Sequence, residues 1–395
     1  MTLDYQKIIL DTIKGRPAKH IPFVPRLDLW YASNKRNNTL PEKYAGSTLM
    51  EIVRDLEVGY HSVVPDFRNF YNNRSVALQG LGIYDLENNP YSLIPDSIDM
   101  EFSTDSTGKT STVFRTPFGE ISTGTIYSHR MELDGASLGH TTEHAIKSSR
   151  DLKAVGYIFE NIKVEENYSN FKKYMDKVGD NGVCVAFGML PGSPMHHIMK
   201  ELMSFENFIY EFTDNKKGLL ELAEKIGLFY DRVLSIALDS PSEIIFLGAN
   251  YDSFLTWPGF FKSHITPYLK KYSEIVHRKG KFLLTHADGE NDGLIQEYLD
   301  ADIDIADSIC PYPMTRLHLQ QVRNNFSGNI TIWGGLPSIC VLEDSMGDAE
   351  FERYLGEFFE NLGDGKNIIL SFADTTPPAA KFSRIEKVAE MAKSY

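Results

Sequence analysis

Three side chains that could share one ion stand directly after two apolar runs of the sequence. His286 and Asp288 lie two residues apart in "GKFLLTHADGEN", and Asp374 follows the second run in "NIILSFADTTPP". Side chains two apart on an extended segment point to the same side, so His286 and Asp288 can reach one ion. With Asp374 the set has three nitrogen and oxygen ligands and space for a fourth, which is how catalytic zinc is held.

Spacing alone leaves an ordinary alternative open for each of these residues. A histidine two before an aspartate is a common chance pattern, and an aspartate after a strand often caps the next helix or turn. Asp374 before "TTPP" can cap a C-terminal helix in this way. His196 and His197 are adjacent on a predicted helix, so they point about 100° apart and are expected on its surface rather than at one ion.

The composition is that of a globular protein and disfavours two classes of partner. The chain has 395 residues, 42% of them hydrophobic, and a formal net charge of −14. Nucleic acids and anionic membranes attract basic patches, so neither is an expected partner. No run approaches the roughly 20 apolar residues of a membrane span, and the scattered Cys184, Cys310 and Cys340 fit a reducing compartment. We therefore expect a cytoplasmic location.

Short apolar runs that alternate with helical segments predict an α/β fold. Eight such runs are recognised, namely "IPFVPRLDLW", "YHSVVPDF", "GVCVAFGML", "EIIFLGAN", "KFLLTHAD", "IDIADSI", "NITIWGGL" and "NIILSFAD". Fully apolar strands separated by helices indicate a parallel sheet, and eight units predict a (β/α)8 TIM barrel formed by residues 1–395 as one domain. A polar stretch from about Asn69 to Gly135 is expected to form a hairpin-like insertion after the second strand.

The ends of the predicted strands supply candidates for substrate binding, because the loops that follow barrel strands carry the chemistry. Arg26 either holds an anionic group of a substrate or pairs with the nearby Asp28. Aromatic residues near strand ends either line a pocket or fill the core. The candidates for substrate contact are Arg26, Asp28, Trp30, Asn250, Asp252 and Trp333.

Several longer segments resemble the uroporphyrinogen decarboxylase superfamily. They include "IKGRPAKHIPFVPR", "TTEHAIKSSRDLKAV", "WPGFFKSHITPYLKKYSEIVHRKGKFLLTHADG", "NITIWGGLPS" and "GKNIILSFADTTPPAAKFSRIEKV", and the resemblance extends over nearly the whole length. It implies a (β/α)8 barrel. Its decarboxylase branch has an arginine-rich signature after the first strand. Here "PRLDLWYASNK" offers Arg26 alone, followed by Asp28, which disfavours a substrate with many carboxylates.

The other branch of the superfamily consists of zinc-dependent methyltransferases that work with corrinoid proteins. Its ligand motifs, "HxCG" and "SPGCG", correspond here to "HADG" and "SFADT", so the histidine is kept and aspartates stand in place of both cysteines. The resemblance implies zinc held by His286, Asp288 and Asp374. It also places Asn250 and Asp252 near the metal, with Asp252 as a fourth ligand or a partner of the ligands.

Oxygen ligands leave more positive charge on zinc than thiolates do, which suits a Lewis acid acting on an ether oxygen. The resemblance therefore implies transfer of a methyl group from a methyl ether, such as a methoxylated aromatic compound, to the reduced cobalt of a partner corrinoid protein. Three alternatives stay open. These are methyl transfer from a methylated amine or thiol, decarboxylation of a less acidic substrate, and a barrel that only binds a ligand.

Overall fold

The computed structural model describes residues 3–16 and 20–395. Residues 17–19, which belong to the quoted segment "IKGRPAKHIPFVPR", lie outside the described residues. Within the described part, no helix is both long enough and apolar enough to cross a membrane.

The polar stretch after residue 69 forms antiparallel strands, as predicted. A four-stranded sheet has the order β2-β3-β4-β5, and β1 pairs with β6 beside it. The strands are β1 Tyr91–Ile94, β2 Asp99–Thr104, β3 Lys109–Thr116, β4 Gly119–Ile126, β5 His140–Glu143 and β6 Lys163–Glu166. The insertion thus extends to Glu143, somewhat beyond the predicted end at Gly135.

The six C-terminal apolar runs form one parallel sheet in sequence order, β7 to β12. Its strands are β7 Val185–Met189, β8 Ile244–Ala249, β9 Phe282–His286, β10 Ile305–Ile309, β11 Thr331–Pro337 and β12 Ile368–Ala373. Nearly every residue in them is buried, which is why these strands read as continuous apolar runs rather than alternating ones. Six of the eight predicted strands are therefore confirmed.

The first two predicted strands are wrong as regular strands. Pro22 and Pro25 have no N–H to donate, so residues 21–26 keep a single parallel bridge between Phe23 and Leu370 of β12. The second run, Tyr60–Phe67, has no strand either. It contacts β7 and the residues just before it through a bond from the Val185 N–H to the Ser62 carbonyl and one from the Ser62 hydroxyl to the Val183 carbonyl.

These two extended segments still flank the parallel sheet. The Val24 N–H donates to the Leu370 carbonyl of β12 at 2.8 Å, and the Gly59 N–H donates to the Phe23 carbonyl at 2.9 Å. Side chains from both segments join an apolar cluster with residues of all six strands; its members include Val24, Val63, Val185, Phe246, Leu284, Ile305, Trp333 and Ile369. Extended chain therefore continues the sheet beyond both of its edges, with few hydrogen bonds.

Sixteen α-helices in the described residues connect and cover the strands. They are α1 Tyr5–Ile13, α2 Asp28–Arg36, α3 Leu49–Asp55, α4 Ser75–Leu78, α5 His129–Leu133, α6 Leu152–Asn161, α7 Tyr168–Val178, α8 Pro194–His197, α9 Phe205–Asp214, α10 Lys216–Asp239, α11 Pro258–Phe260, α12 Thr266–Arg278, α13 Ile295–Asp300, α14 Leu319–Phe326, α15 Asp348–Asn361 and α16 Phe382–Ser394. The insertion is tied to α2, because the Ser33 hydroxyl donates to the Leu133 carbonyl of α5 at 2.8 Å.

Candidate metal centre

The three predicted ligands come together at the carboxyl ends of two strands. His286 is the last residue of β9, Asp288 follows it in the next loop, and Asp374 directly follows β12. One ligand atom from each of the three lies within 4.8 Å of the other two. His286 Nε2 lies 3.1 Å from Asp374 Oδ1.

Asp307 holds the other nitrogen of the His286 ring. It lies opposite His286 on the neighbouring strand β10, and its Oδ2 is 2.5 Å from His286 Nδ1. Both side chains are about 95% buried. The Nδ1 nitrogen is thus engaged below the site, and Nε2 faces Asp374.

Arg26 connects two carboxylates at the rim. Its Nη1 donates to Asp374 Oδ1 at 2.9 Å, and its Nε donates to Asp28 Oδ1 at 3.2 Å. The Arg26 carbonyl in turn accepts the N–H of Thr376 at 2.9 Å. Arg26 therefore makes the pair with Asp28 that was one of its two predicted roles, and its shorter contact is with Asp374.

Burial and charge act in opposite directions on these groups. Burial disfavours the imidazolium form of His286, but the carboxylates of Asp307 and Asp374 outweigh it and raise the pKa of His286 to about 10. Burial would raise the pKa of Asp307, but the facing His286 lowers it to about 2. The pKa of Asp374 is likewise lowered, by Arg26 and His286 against burial.

Asp288 is the exception, because its pKa is raised. The causes are burial and then the negative charge of Asp374. Two carboxylates that repel each other beside an imidazole nitrogen are relieved by a cation placed between them. Ligands of a tetrahedral zinc ion with bonds of about 2.0 Å lie roughly 3.3 Å apart. The donor set and its spacing therefore fit a divalent cation.

Three residues other than glycine, in β10 or just after β8 and β9, have a left-handed φ. The φ angles are 58° at Asn250, 50° at Asp288 and 59° at Ser308. Asparagine and aspartate tolerate this region best, and such positions cluster at functional sites. The conformation at Asp288 turns the chain immediately after β9.

Asn250 and Asp252, two of the predicted substrate-binding residues, follow β8 directly. The Asp252 carboxylate accepts the N–H groups of Phe254, Leu255 and Glu290, so it orders the loops after β8 and β9. Asn250 bonds through its own backbone N–H to the His286 carbonyl at 3.0 Å. The Asp252 side chain does not belong to the group whose ligand atoms lie within 4.8 Å of one another.

The tryptophans predicted at the rim are buried instead. Trp30 lies in α2 rather than at the end of a strand, and its ring stacks on Phe382 at 5.2 Å. Trp333 lies opposite Asp307 on β11 and is fully enclosed. Its neighbour there is His61, whose ring centroid is 5.7 Å away. Core packing, rather than an aromatic pocket, therefore explains both.

The adjacent His196 and His197 are not on a helix surface as expected. Both are buried, and the His197 ring lies 2.7 Å from the Leu81 carbonyl and 3.1 Å from the Tyr230 hydroxyl. Burial lowers the pKa of His197 to about 4. Both histidines lie outside the cluster, as predicted.

Three residues near the site had not been selected from the sequence. They are Asp307, His61 and Lys200; burial lowers the pKa of Lys200, although Glu201 and Asp288 oppose this. The signal for Asp307 was available, because a charged residue in the middle of the apolar run "IDIADSI" is costly without a partner. His61, in "YHSVVPDF", offered the same signal more weakly.

A search of solved structures finds similar folds. One of them is a methyltransferase from Methanosarcina mazei, with a TM-score of 0.53 and 12% sequence identity over 98% of both chains. No family model matches the sequence, and no curated protein does. At this identity the likeness shows a shared fold.

Proposed function

We propose that this chain is a zinc-dependent methyltransferase that moves a methyl group from a methyl ether to the reduced cobalt of a partner corrinoid protein. The observation that carries the proposal is the convergence of His286, Asp288 and Asp374, whose ligand atoms lie within 4.8 Å of one another. The shared fold with a methyltransferase supports the same class of reaction.

The chain's own residues supply the binding and orientation. His286 offers Nε2, and Asp288 and Asp374 offer carboxylate oxygens, so this set would hold zinc with a position left for the substrate. Zinc bound there would act as a Lewis acid toward the oxygen that the methyl group leaves. Arg26 keeps the Asp374 carboxylate in place through the 2.9 Å contact. In such a transfer the methyl–oxygen bond would break with its electron pair left on oxygen, and the reduced cobalt of the partner would supply the pair for the new bond to the methyl group.

A methylated ammonium compound is a second candidate donor. Three carboxylates lie at the rim, those of Asp28, Asp288 and Asp374. Arg26 is in direct contact with Asp28 and Asp374 and offsets part of this negative charge. A rim of this charge would attract a cationic donor and repel one with several carboxylates. The excess of negative charge at the rim also argues against the decarboxylase alternative, whose substrate would carry a carboxylate. The corrinoid partner is the acceptor in either case.

We also assign the chain to the (β/α)8 class, with the extended segments 21–26 and 60–64 in the places of the first two strands. The support is the apolar cluster to which both segments and all six parallel strands contribute.

Metal analysis and a methyl-transfer assay test the proposal together. We expect about one zinc per chain, lost in His286→Ala and Asp374→Ala. The spectrum of reduced cobalamin should change when methoxylated phenol and protein are added, and this change should stop with a chelator and return with zinc. Trimethylated ammonium compounds serve as the competing donors.

Asp292→Ala is the matched control, because this exposed carboxylate lies on the same loop and outside the cluster. It should keep both zinc and activity. A protein that binds no zinc after reconstitution, or variants of His286 and Asp374 with normal zinc content, would overturn the metal centre. Transfer from neither donor class would overturn the reaction.

A further inference from the structure

Asp307 lies between two histidines inside the sheet. Its Oδ2 is 2.5 Å from His286 Nδ1, and its Oδ1 is 3.9 Å from His61 Nε2. The parallel pairing of β9 and β10 sets Asp307 directly opposite His286, so the contact is built into the strand register. Strand β11 lies on the other side of β10, and its Trp333 is paired with Asp307. The rings of Trp333 and His61 are in a T-shaped arrangement.

A carboxylate in this position decides what His286 presents to the site. An ionised carboxylate only accepts hydrogen bonds, so the His286 Nδ1 facing it must carry a proton. A metal ion that displaces the Nε2 proton would then meet the lone pair of Nε2. That nitrogen is the one 3.1 Å from Asp374 Oδ1.

We propose that Asp307 is a positioning residue, which directs the Nε2 lone pair of His286 toward Asp288 and Asp374 and fixes the plane of the ring. The inference rests on the proposed function, because the ligand role of His286 is part of it. A hydrogen-bonded carboxylate behind a ligating histidine is a recurrent means of orienting the ring and raising its basicity.

Packing alone gives a poor account of Asp307. The side chain is about 96% buried on a strand whose other residues are mostly apolar, where an unpaired carboxylate would be costly. His286 offsets this cost from one side, and His61 lies on the other. The three side chains thus form a connected polar row inside an otherwise apolar layer.

Zinc affinity measured by competition with a chelator tests the role. Asp307→Asn keeps the shape of the side chain but replaces the charged acceptor of the Nδ1–H by a neutral amide oxygen, and Asp307→Ala removes the partner. We expect each to weaken zinc binding about 10- to 100-fold. If Asp307 only filled space, the isosteric Asn variant would bind zinc like the wild type, and that result would overturn the proposal.

Asp304→Asn is the matched control. Asp304 precedes β10 and makes a contact of the same chemistry, with Oδ2 2.8 Å from His277 Nε2, away from the three candidate ligands. Its loss should leave zinc affinity unchanged. A drop equal to that of Asp307→Asn would mean that any lost aspartate–histidine contact disturbs the site, which would also overturn the proposal.

A second readout does not depend on zinc. In metal-free protein labelled with 15N-histidine, the His286 Nδ1–H proton should resonate far downfield because of its short bond to Asp307. The resonance should move upfield in Asp307→Asn, disappear in Asp307→Ala and persist in Asp304→Asn. If the His286 Nδ1–H resonance were the same in the wild type and in both Asp307 variants, the positioning role would be overturned. A different outcome is that the resonance depends on Asp307 as expected but the wild-type protein binds no zinc. The proposed function would then fail, and the hydrogen bond between Asp307 and His286 would remain established.

Discussion

The guanidinium of Arg26 and the carboxylate of Asp374 form an ion pair of 2.9 Å at the β12 edge of the sheet. The Arg26 side chain is about 90% buried, and burial opposes its charge. The carboxylates of Asp28, Asp374 and Asp307 nevertheless raise the pKa of Arg26. Arg26 therefore supplies one of the two positive charges that Asp374 meets in the metal-free protein, the other being that of His286.

Arg26→Ala should lower the melting temperature of the metal-free protein by several degrees, because it leaves buried carboxylates without their cation. Zinc should then restore more stability in the variant than in the wild type, since Asp374 is no longer shared with a guanidinium. Differential scanning calorimetry with and without zinc measures both effects. Arg16→Ala, which removes an exposed pair with Asp11, is the control and should change little.

Two substitutions at Asp288 should separate its backbone role from its charge. The residue has a φ of 50°, a region that asparagine tolerates and alanine does not. Asp288→Asn should therefore keep the melting temperature and lose most zinc affinity. Asp288→Ala should lose zinc affinity and also about 1–2 kcal/mol of folding stability. Equal melting temperatures for the two variants would contradict the backbone argument.

Replacing the Asp374 carboxylate by a thiolate should raise the affinity for zinc and weaken the activation of the substrate. Asp374→Cys introduces a soft ligand, which holds zinc more tightly and leaves less positive charge on it. We expect tighter zinc binding in a chelator competition and at least a tenfold slower methyl transfer from a methyl ether. Asp374→Ser provides the comparison, with weak binding and no activity. A faster Cys variant would refute the Lewis-acid argument.

His197 should make the protein sensitive to acid. Its pKa is about 4 in the folded protein because it is buried, against 6.5 for the free side chain. The unfolded chain therefore takes up a proton first, so stability is complete above pH 6.5 and falls as the pH drops toward 4. The loss amounts to about 3 kcal/mol at the lower limit.

Melting curves of the wild type and His197→Gln between pH 7.5 and 4.5 measure the His197 contribution by difference. The comparison is needed because Asp85 acts in the opposite direction. Burial raises the pKa of Asp85 to about 6, so its contribution to stability grows as the pH falls. Parallel melting curves for the two proteins would contradict the role assigned to His197.

Sequence patterns locate the ligands well because parallel strands bring their carboxyl ends to one edge. This rule is enough to bring His286 and Asp374 together from distant parts of the chain. It failed for Trp30, since two prolines interrupt the first run and helix α2 begins at Asp28. The charge of Asp307 inside an apolar run was visible in the sequence, but its partner His286 is set by strand register, which a sequence does not display.

The two extended segments beside the parallel sheet also have a protective effect. Strands β7 and β12 would otherwise end the sheet with exposed rows of N–H and C=O groups, the surface on which sheets of separate molecules join and aggregate. Residues 22–24 cover β12, and residues 60–62 lie along β7. Because Arg26 and His61 belong to these same segments, changes that loosen the site also open a sheet edge, and loss of solubility would accompany loss of activity.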